Sequence, residues 1–462
     1  MDPVLRDDLT RLPDLLAATQ RYAVDVLAGI DERPAASAAE QGTAESLPDV
    51  GRGGLAALSA FAQRWAPGFS GSAGPRYLGF VTGGATPAGI AGDWLTSVFD
   101  QNPASAGDST APELEKETLR WLRELFGLGT QHEGTFVSGA TMSNYAGIAV
   151  AREWLGEQRG VSVTRQGVAA LGPVDVLSGA PHSSVYKALS MTGLGRDALR
   201  TVPTLPGREA VDVSRLEEAL RALDGRAAIV VANAGTVNTV DFDDLRAIAE
   251  LRQRYPFWLH VDGAFGAFAA LSERHAHLVD GLVLADSICV DLHKWLNVPY
   301  DCAVQFTTRR DLQIAVFHNA AAYLATQTDD PAFADLKPEN SQRLRALAAW
   351  LSLAAYGRRG HQEIVSRDIA AAEDLGRRID ACQDLRLLAP VRLNVVCFTL
   401  AERPTTERVR AFVDAVAASG EAFVTPTEYA NTPAVRAAFS NWRTGQADVV
   451  RAYQALARAA AL

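Results

Sequence analysis

The sequence predicts an α/β protein, a mostly parallel sheet covered by helices on both faces. Two observations carry the prediction. Between about residues 75 and 370, short β-rich runs alternate with amphipathic helical stretches, the pattern of successive strand and crossover units. The residues that bear chemistry also stand directly after those runs, and ligands of such sheets bind at the carboxyl ends of the strands.

The elements follow in order. Apolar residues at helical spacing (Leu5, Leu9, Leu12, Leu15, Leu16, Ala23, Val26, Leu27) predict an N-terminal helical arm, joined to the rest by a loose, alanine-rich stretch through about residue 53. Such an arm buries its apolar face only against something else, and a dimer partner is expected. The runs GTFVSG, VDVLSG, AAIVVANAG, FWLHVDG and DSICVDLH predict strands, with helices at 214–223 and 243–254. Long helices near 341–357 and 366–381 lead to a strand at VVCFTL and to helices at 405–418 and 446–460. The expected division is a helical segment over 1–74, an α/β domain over 75–370 and a small α+β domain over 371–462.

Composition narrows the function classes. A chain of 462 residues with 48% hydrophobic content is globular, and no apolar run is long enough for a membrane helix. The N-terminus carries acidic residues early and has no signal-peptide pattern, so the cytoplasm is the expected compartment. Cys289, Cys302, Cys382 and Cys397 match no disulfide framework or zinc spacing. The net charge of −10 is spread along the chain without a basic stripe, which argues against nucleic acid.

Only four lysines stand among the 44 basic residues, so solvation is left to arginine and a lysine marks a place where amine chemistry is wanted. One of them, Lys294, follows the run DSICVDLH, directly after His293. A surface cation is the ordinary reading of a lysine, and its surroundings have to overturn it. After TFVS come Gly139, Ala140 and Thr141 at the start of a helix, a turn suited to phosphate and equally to an ordinary strand-to-helix connection. His182 follows VDVLSGAP; a lone histidine is more often a cap, but it can stack on a flat heteroaromatic ring. Thr236 ends AAIVVANAG. Asp262 ends FWLHVDG, where a buried carboxylate needs a cap, an arginine, a metal or a protonated pyridine nitrogen, and the methyl of Ala264 leaves room for a ring. No second carboxylate lies near Asp262 on its strand, where His260 is the other metal-type residue, and no metal is expected. Asp262 and Lys294 are 32 residues apart, a length that fits strand, helical crossover and strand.

In that order and spacing the chain resembles the pyridoxal-phosphate enzymes of fold type I, specifically the group II amino-acid decarboxylases. The likeness runs from PRYLGF through STAPELEKETLRWL to NWRTGQADVVRAYQAL, and HVDGAFG with ADSICVDLHKWLNVPYDC carries it most specifically. The resemblance implies a seven-stranded sheet, pyridoxal 5'-phosphate held covalently by Lys294, an L-amino acid substrate and a homodimer with active sites at its interface. By position it implies that His182 stacks on the ring and is a candidate for proton transfer. It also places Asp262 on the ring nitrogen, Ala264 against the ring, Thr236 near the ring substituents, Gly139, Ala140 and Thr141 at the phosphate, and His293 beside the lysine. The segments YLGFVTGG and DQNPAS are expected at the partner's pocket, and Arg436 or Arg443 is available for a substrate carboxylate.

The chain departs from the family at one place. The family's mobile loop supplies a tyrosine that protonates the substrate carbon, whereas ATQTDDPAFADLKPEN (325–340) has no tyrosine and only Phe333 as an aromatic. Tyr323 or His182 is the substitute expected as acid. Decarboxylation is the expected activity; an aldehyde-forming oxidative branch, transamination and a non-catalytic cofactor-binding protein are the rivals.

Overall fold

The runs AIVVAN and FWLHVD are buried at every position, and strands with no solvent-exposed face belong inside a sheet covered on both sides. In the computed structural model, which describes residues 1–37, 45–103, 109–319 and 332–462, they lie at the middle of a seven-stranded sheet. Its strands are β1 (Glu133–Val137), β2 (Val176–Ser178), β3 (Leu199–Thr201), β4 (Ala228–Asn233), β5 (Phe257–Asp262), β6 (Ser287–Asp291) and β7 (Ala303–Thr307). The order is β1-β7-β6-β5-β4-β2-β3. Only β7 runs against its neighbours. Alternate residues face opposite layers: Ile229, Val231 and Trp258 join Ile148, Leu155 and Leu189, while Val230, Ala232, Leu259 and Val261 join Leu216, Leu245 and Phe268.

Several elements differ from expectation for physical reasons. The connection from β5 to β6 has no α-helix; three 3₁₀ turns, Gly266–Leu271, Ala276–Val279 and Leu282–Leu284, carry it. The two helices expected near 341–357 and 366–381 are found within Ala346–Asp380, divided at Gly357 with φ 58°, a backbone state that glycine adopts at little cost; the second begins earlier than expected. The N-terminal arm is two helices, Pro3–Thr10 and Leu12–Ala28, divided where Pro13 begins the second. Leu5, Leu9, Leu12, Leu16 and Val24 on this arm remain exposed.

Towards the C-terminus, β8 (Leu385–Leu387), β9 (Val395–Leu400), β10 (Thr425–Tyr429) and β11 (Thr432–Ala438) make an antiparallel sheet in the order β10-β11-β9-β8. Helices Thr406–Ala418 and Gln446–Ala460 pack beside it around Phe398, Val413 and Val449. The segment PRYLGF is stitched to this sheet: Leu78 N donates to Phe423 O and Ala438 N donates to Leu78 O, each at 2.8 Å. All four cysteines are free. Among the described residues no helix is long and apolar enough to cross a membrane, and no group of three metal-type ligands forms.

Candidate active site

Five parallel strands of the large sheet aim their carboxyl ends at one region, and the residues that follow them line a cavity of about 230 Å³. Ala140, His182, Thr236, Asp262, Ala264, His293 and Lys294 all line it, joined by Phe80, Tyr300 and Arg436. Gly139 precedes the helix Ala140–Gln158 and faces His293 Cε1. No side chain caps that helix, which leaves first-turn N–H groups for an anion. Thr141 is half-buried and outside the lining.

Register explains the meeting of Asp262 and Lys294. Asp262 pairs with Cys289 on the adjacent parallel strand, and β6 continues into a single helical turn, Leu292–Trp295, that lifts the lysine to the sheet edge. Lys294 Nζ lies 3.3 Å from Asp291 and 5.4 Å from the centre of the Phe265 ring. His293 Nδ1 hydrogen-bonds the Cys302 carbonyl at 3.1 Å, stands 3.0 Å from Asp291, and its ring is 4.2 Å from that of Tyr300. Burial holds the His293 ring below the usual histidine range, against the pull of Asp291.

Asp262 is a buried carboxylate whose bonds are all to neutral donors: Asn144 Nδ2 at 2.9 Å and Ala264 N at 3.2 Å. Among the described residues no cation pairs with it. A carboxylate so placed calls for a cationic partner from outside the chain, and a protonated pyridine nitrogen is of the right kind. The same amide reaches Ser184 Oγ at 3.0 Å, and Ser184 Oγ is 2.7 Å from His182 Nδ1. Burial lowers His182, with Asp262 opposing and Lys294 adding to the effect. Behind Asn144 stand His260, Ser287 and Trp258.

The two candidate arginines separate clearly. Arg436, on β11, is buried, and its Nε and Nη2 have no partner. Burial pulls it down to about 10, so it stays cationic at neutral pH. Arg443 instead lies 4.5 Å over the Trp442 ring and 3.7 Å from Asp31. Thr236 lines the cavity, but its hydroxyl donates to Glu209 at 2.5 Å and accepts from Asp241 N at 2.9 Å, so its hydrogen is committed to the loop behind it.

One expectation needs correction, and two segments expected at a partner's pocket make contacts within their own chain. Phe333 is buried beneath Lys337 Nζ, 5.1 Å from its ring centre, and does not line the cavity; the Lys337–Glu115 ion pair holds that stretch in the core. YLGFVTGG contributes Phe80 and Val81 to the cavity of its own chain, where Gly83 permits the approach: an added Cβ would collide with the Lys294 carbonyl oxygen. From DQNPAS, Asn102 donates to the Asn340 carbonyl of the same chain at 3.2 Å. Tyr323 lies outside the described residues. Asn144, Ser184, His260 and Asp291 were not anticipated; the signal was there for two, since His260 is one strand period before Asp262 and Asp291 one helical turn before Lys294.

The family model of the pyridoxal-dependent decarboxylase conserved domain matches residues 42–401. The chain belongs to the pyridoxal-dependent decarboxylases. Among curated members of this family, it is 28% identical over 384 residues to the aromatic-L-amino-acid decarboxylase of Bacillus atrophaeus, covering 80% of this chain and 78% of that one. It is also 28% identical over 360 residues to the L-2,4-diaminobutyrate decarboxylase of Acinetobacter baumannii, covering 73% and 69%. The crystal structure of Oryza sativa TDC with PLP and tryptamine superposes with a TM-score of 0.91 at 22% identity, over 100% of this chain and 99% of that one. This decarboxylase therefore has the fold expected for it, and its cofactor is pyridoxal phosphate.

Proposed function

We propose that the cavity binds pyridoxal phosphate on Lys294 and removes the α-carboxylate of an L-amino acid. The observation that carries the reading is the convergence of an uncompensated buried carboxylate, Asp262, and a strand-end lysine, Lys294, on one cavity with a buried, unpartnered arginine. Bound there, the cofactor supplies a conjugated cationic ring that accepts the electron pair left when the bond to the carboxylate breaks. The protein's own part is orientation and charge. Asp262 keeps the ring nitrogen protonated, His182 and Ala264 hold the two ring faces, and Gly139, Ala140 and Thr141 offer the helix N-terminus to the phosphate. Thr236 and His293 would border the ring, and Lys294, whose amine would hold the cofactor, has Asp291 beside it at 3.3 Å. Arg436 receives the substrate carboxylate, and Phe80, Val81 and Tyr300 favour an apolar or aromatic side chain.

The reading extends to a cytoplasmic homodimer with the three-part division at 74/75 and 370/371. Support comes from four free cysteines and from the exposed apolar row on the N-terminal arm. Further support comes from Trp94, Leu95, Val98 and Phe99 exposed on the helix Pro87–Phe99, and from Phe80 and Tyr300 standing open at the cavity mouth. A partner subunit completes that mouth.

The test is a loaded protein screened against L-amino acids while carbon dioxide, amine, peroxide and keto acid are measured. Carbon dioxide and amine without peroxide are expected. Keto acid without carbon dioxide would move the reading to transamination, and peroxide with aldehyde to the oxidative branch. A visible cofactor band that survives Lys294→Ala unchanged would remove the lysine from its role.

A further inference from the structure

The hydrogen bonds behind the cavity run in a single direction. Trp258 Nε1 has only a proton to give and donates it to Ser287 Oγ at 2.8 Å. Ser287 then turns its own proton to His260 Nδ1, also 2.8 Å away. The ring proton of His260 is left on Nε2, which donates to Asn144 Oδ1 at 2.9 Å. Burial takes His260 down to about 4, so this ring is neutral under ordinary conditions. The far end of the chain fixes the same direction independently. A reversed Asn144 amide would set its oxygen against the Asp262 carboxylate, so Nδ2 must face it, at 2.9 Å. The second Nδ2 hydrogen goes to Ser184 Oγ at 3.0 Å. Having accepted, Ser184 directs its hydroxyl proton at His182 Nδ1, 2.7 Å away, and its backbone N–H donates to the same atom at 3.2 Å. Two donors on Nδ1 leave the ring proton of His182 on Nε2.

We propose that Asn144 is a positioning residue for the reaction: its one amide holds Asp262 behind the ring nitrogen and, by directing the Ser184 hydroxyl, strengthens the tautomer of His182 that offers an N–H to the cavity. This rests on the pyridoxal-phosphate reading of the cavity. Its consequence is chemical. A His182 that presents N–H donates a hydrogen bond to an anionic group above the ring face, whereas one presenting a lone pair would repel a carboxylate there and act as a base. The two groups that meet opposite parts of the cofactor are thereby set by a single side chain from the helix Ala140–Gln158.

The experiment is nitrogen NMR of the full-length protein with ¹⁵N-labelled histidine rings, with and without pyridoxal phosphate, His182 being assigned by the signal lost in His182→Gln. The parent protein should show neutral His182 with its proton on Nε2. Asn144→Asp keeps the side-chain size but draws the Ser184 proton to the new carboxylate and sets that carboxylate against Asp262. The His182 Nδ1 resonance should then shift as that atom loses its hydroxyl donor and keeps only the Ser184 backbone N–H, and the cofactor dissociation constant should rise about ten- to a hundredfold, the worth of one charge-assisted bond. A parent His182 protonated on Nδ1 overturns the proposal and needs no variant to observe. So does an Asn144→Asp protein with the parental spectrum and the parental cofactor affinity. The spectra are read without turnover, so failure to release carbon dioxide strikes the decarboxylase reading and not this one.

Discussion

Arg436→Met should make the protein more stable and a poorer binder of its substrate. Arg436 as a residue is only 7% exposed, with Nε and Nη2 unpartnered, and each buried donor left unmade costs about 1–3 kcal/mol. Methionine fills comparable length without a charge, so relief of even one of those penalties gives a gain of about 1–3 kcal/mol in denaturant unfolding. Substrate loses two charge-assisted bonds in the same change. At about 1.5 kcal/mol each they amount to roughly 3 kcal/mol, a rise in KM of about 150-fold. Because the departing carboxylate loses its charge in the transition state, the arginine favours the bound substrate more, and kcat should be spared or slightly raised. Unfolding curves and steady-state kinetics on the same preparation decide it. A KM within about twofold of the parent, or a variant less stable than the parent, would refute the reasoning.

Three further outcomes are expected. Lys337 and Glu115 form a fully buried pair at 3.0 Å, so Lys337→Met alone should cost about 3–5 kcal/mol in chemical denaturation, and adding Glu115→Leu should restore most of it. His361 is buried and is pushed down by burial to about 4, against a smaller opposing pull from the Ser352 backbone. Its folded value lies below the unfolded one, so the stability it contributes is full above about pH 6.5 and is lost as pH falls towards 4; His361→Leu should flatten that part of the stability–pH curve. Leu9→Asp with Leu16→Asp, on the exposed face of the arm, should halve the mass measured by light scattering and lower activity, if the arm binds a second copy.

The large sheet was legible because its evidence is local. AIVVAN and FWLHVD are buried at every position and mostly apolar, and a strand buried on both faces has little alternative. The strand-end residues Asp262 and Lys294 could be found the same way, one from its place after a buried run and the other from the scarcity of lysine. Other features depend on contacts that no short window contains. The hairpin of β10 and β11 was not predicted, since Pro426 and Pro433 interrupt the pattern and its turn is Ala430–Asn431, held at φ 49° and 58°, without the glycine that usually announces such a turn. Arg436 could not be told from Arg443, because what distinguishes them is that one lies on β11 against β9 while the other finds Trp442 and Asp31. Phe333 read as a loop aromatic near the chemistry, and the buried Lys337–Glu115 pair, joining residues far apart in the chain, draws it into the core.

The stitching of Leu78 between Phe423 and Ala438 sets an order on the making of the protein. Residues 76–78 leave the ribosome early, yet their hydrogen-bonding partners are near the end of the chain, and non-local closure of that kind comes late in folding. Phe80, Val81 and Gly83 follow directly and form the wall beside Lys294, while Arg436 arrives with the last strand. A nascent chain can therefore complete its central sheet and still lack an enclosed pocket. A reactive aldehyde is offered its full complement of partners only by a finished polypeptide, so truncated products have no assembled pocket in which to retain the cofactor.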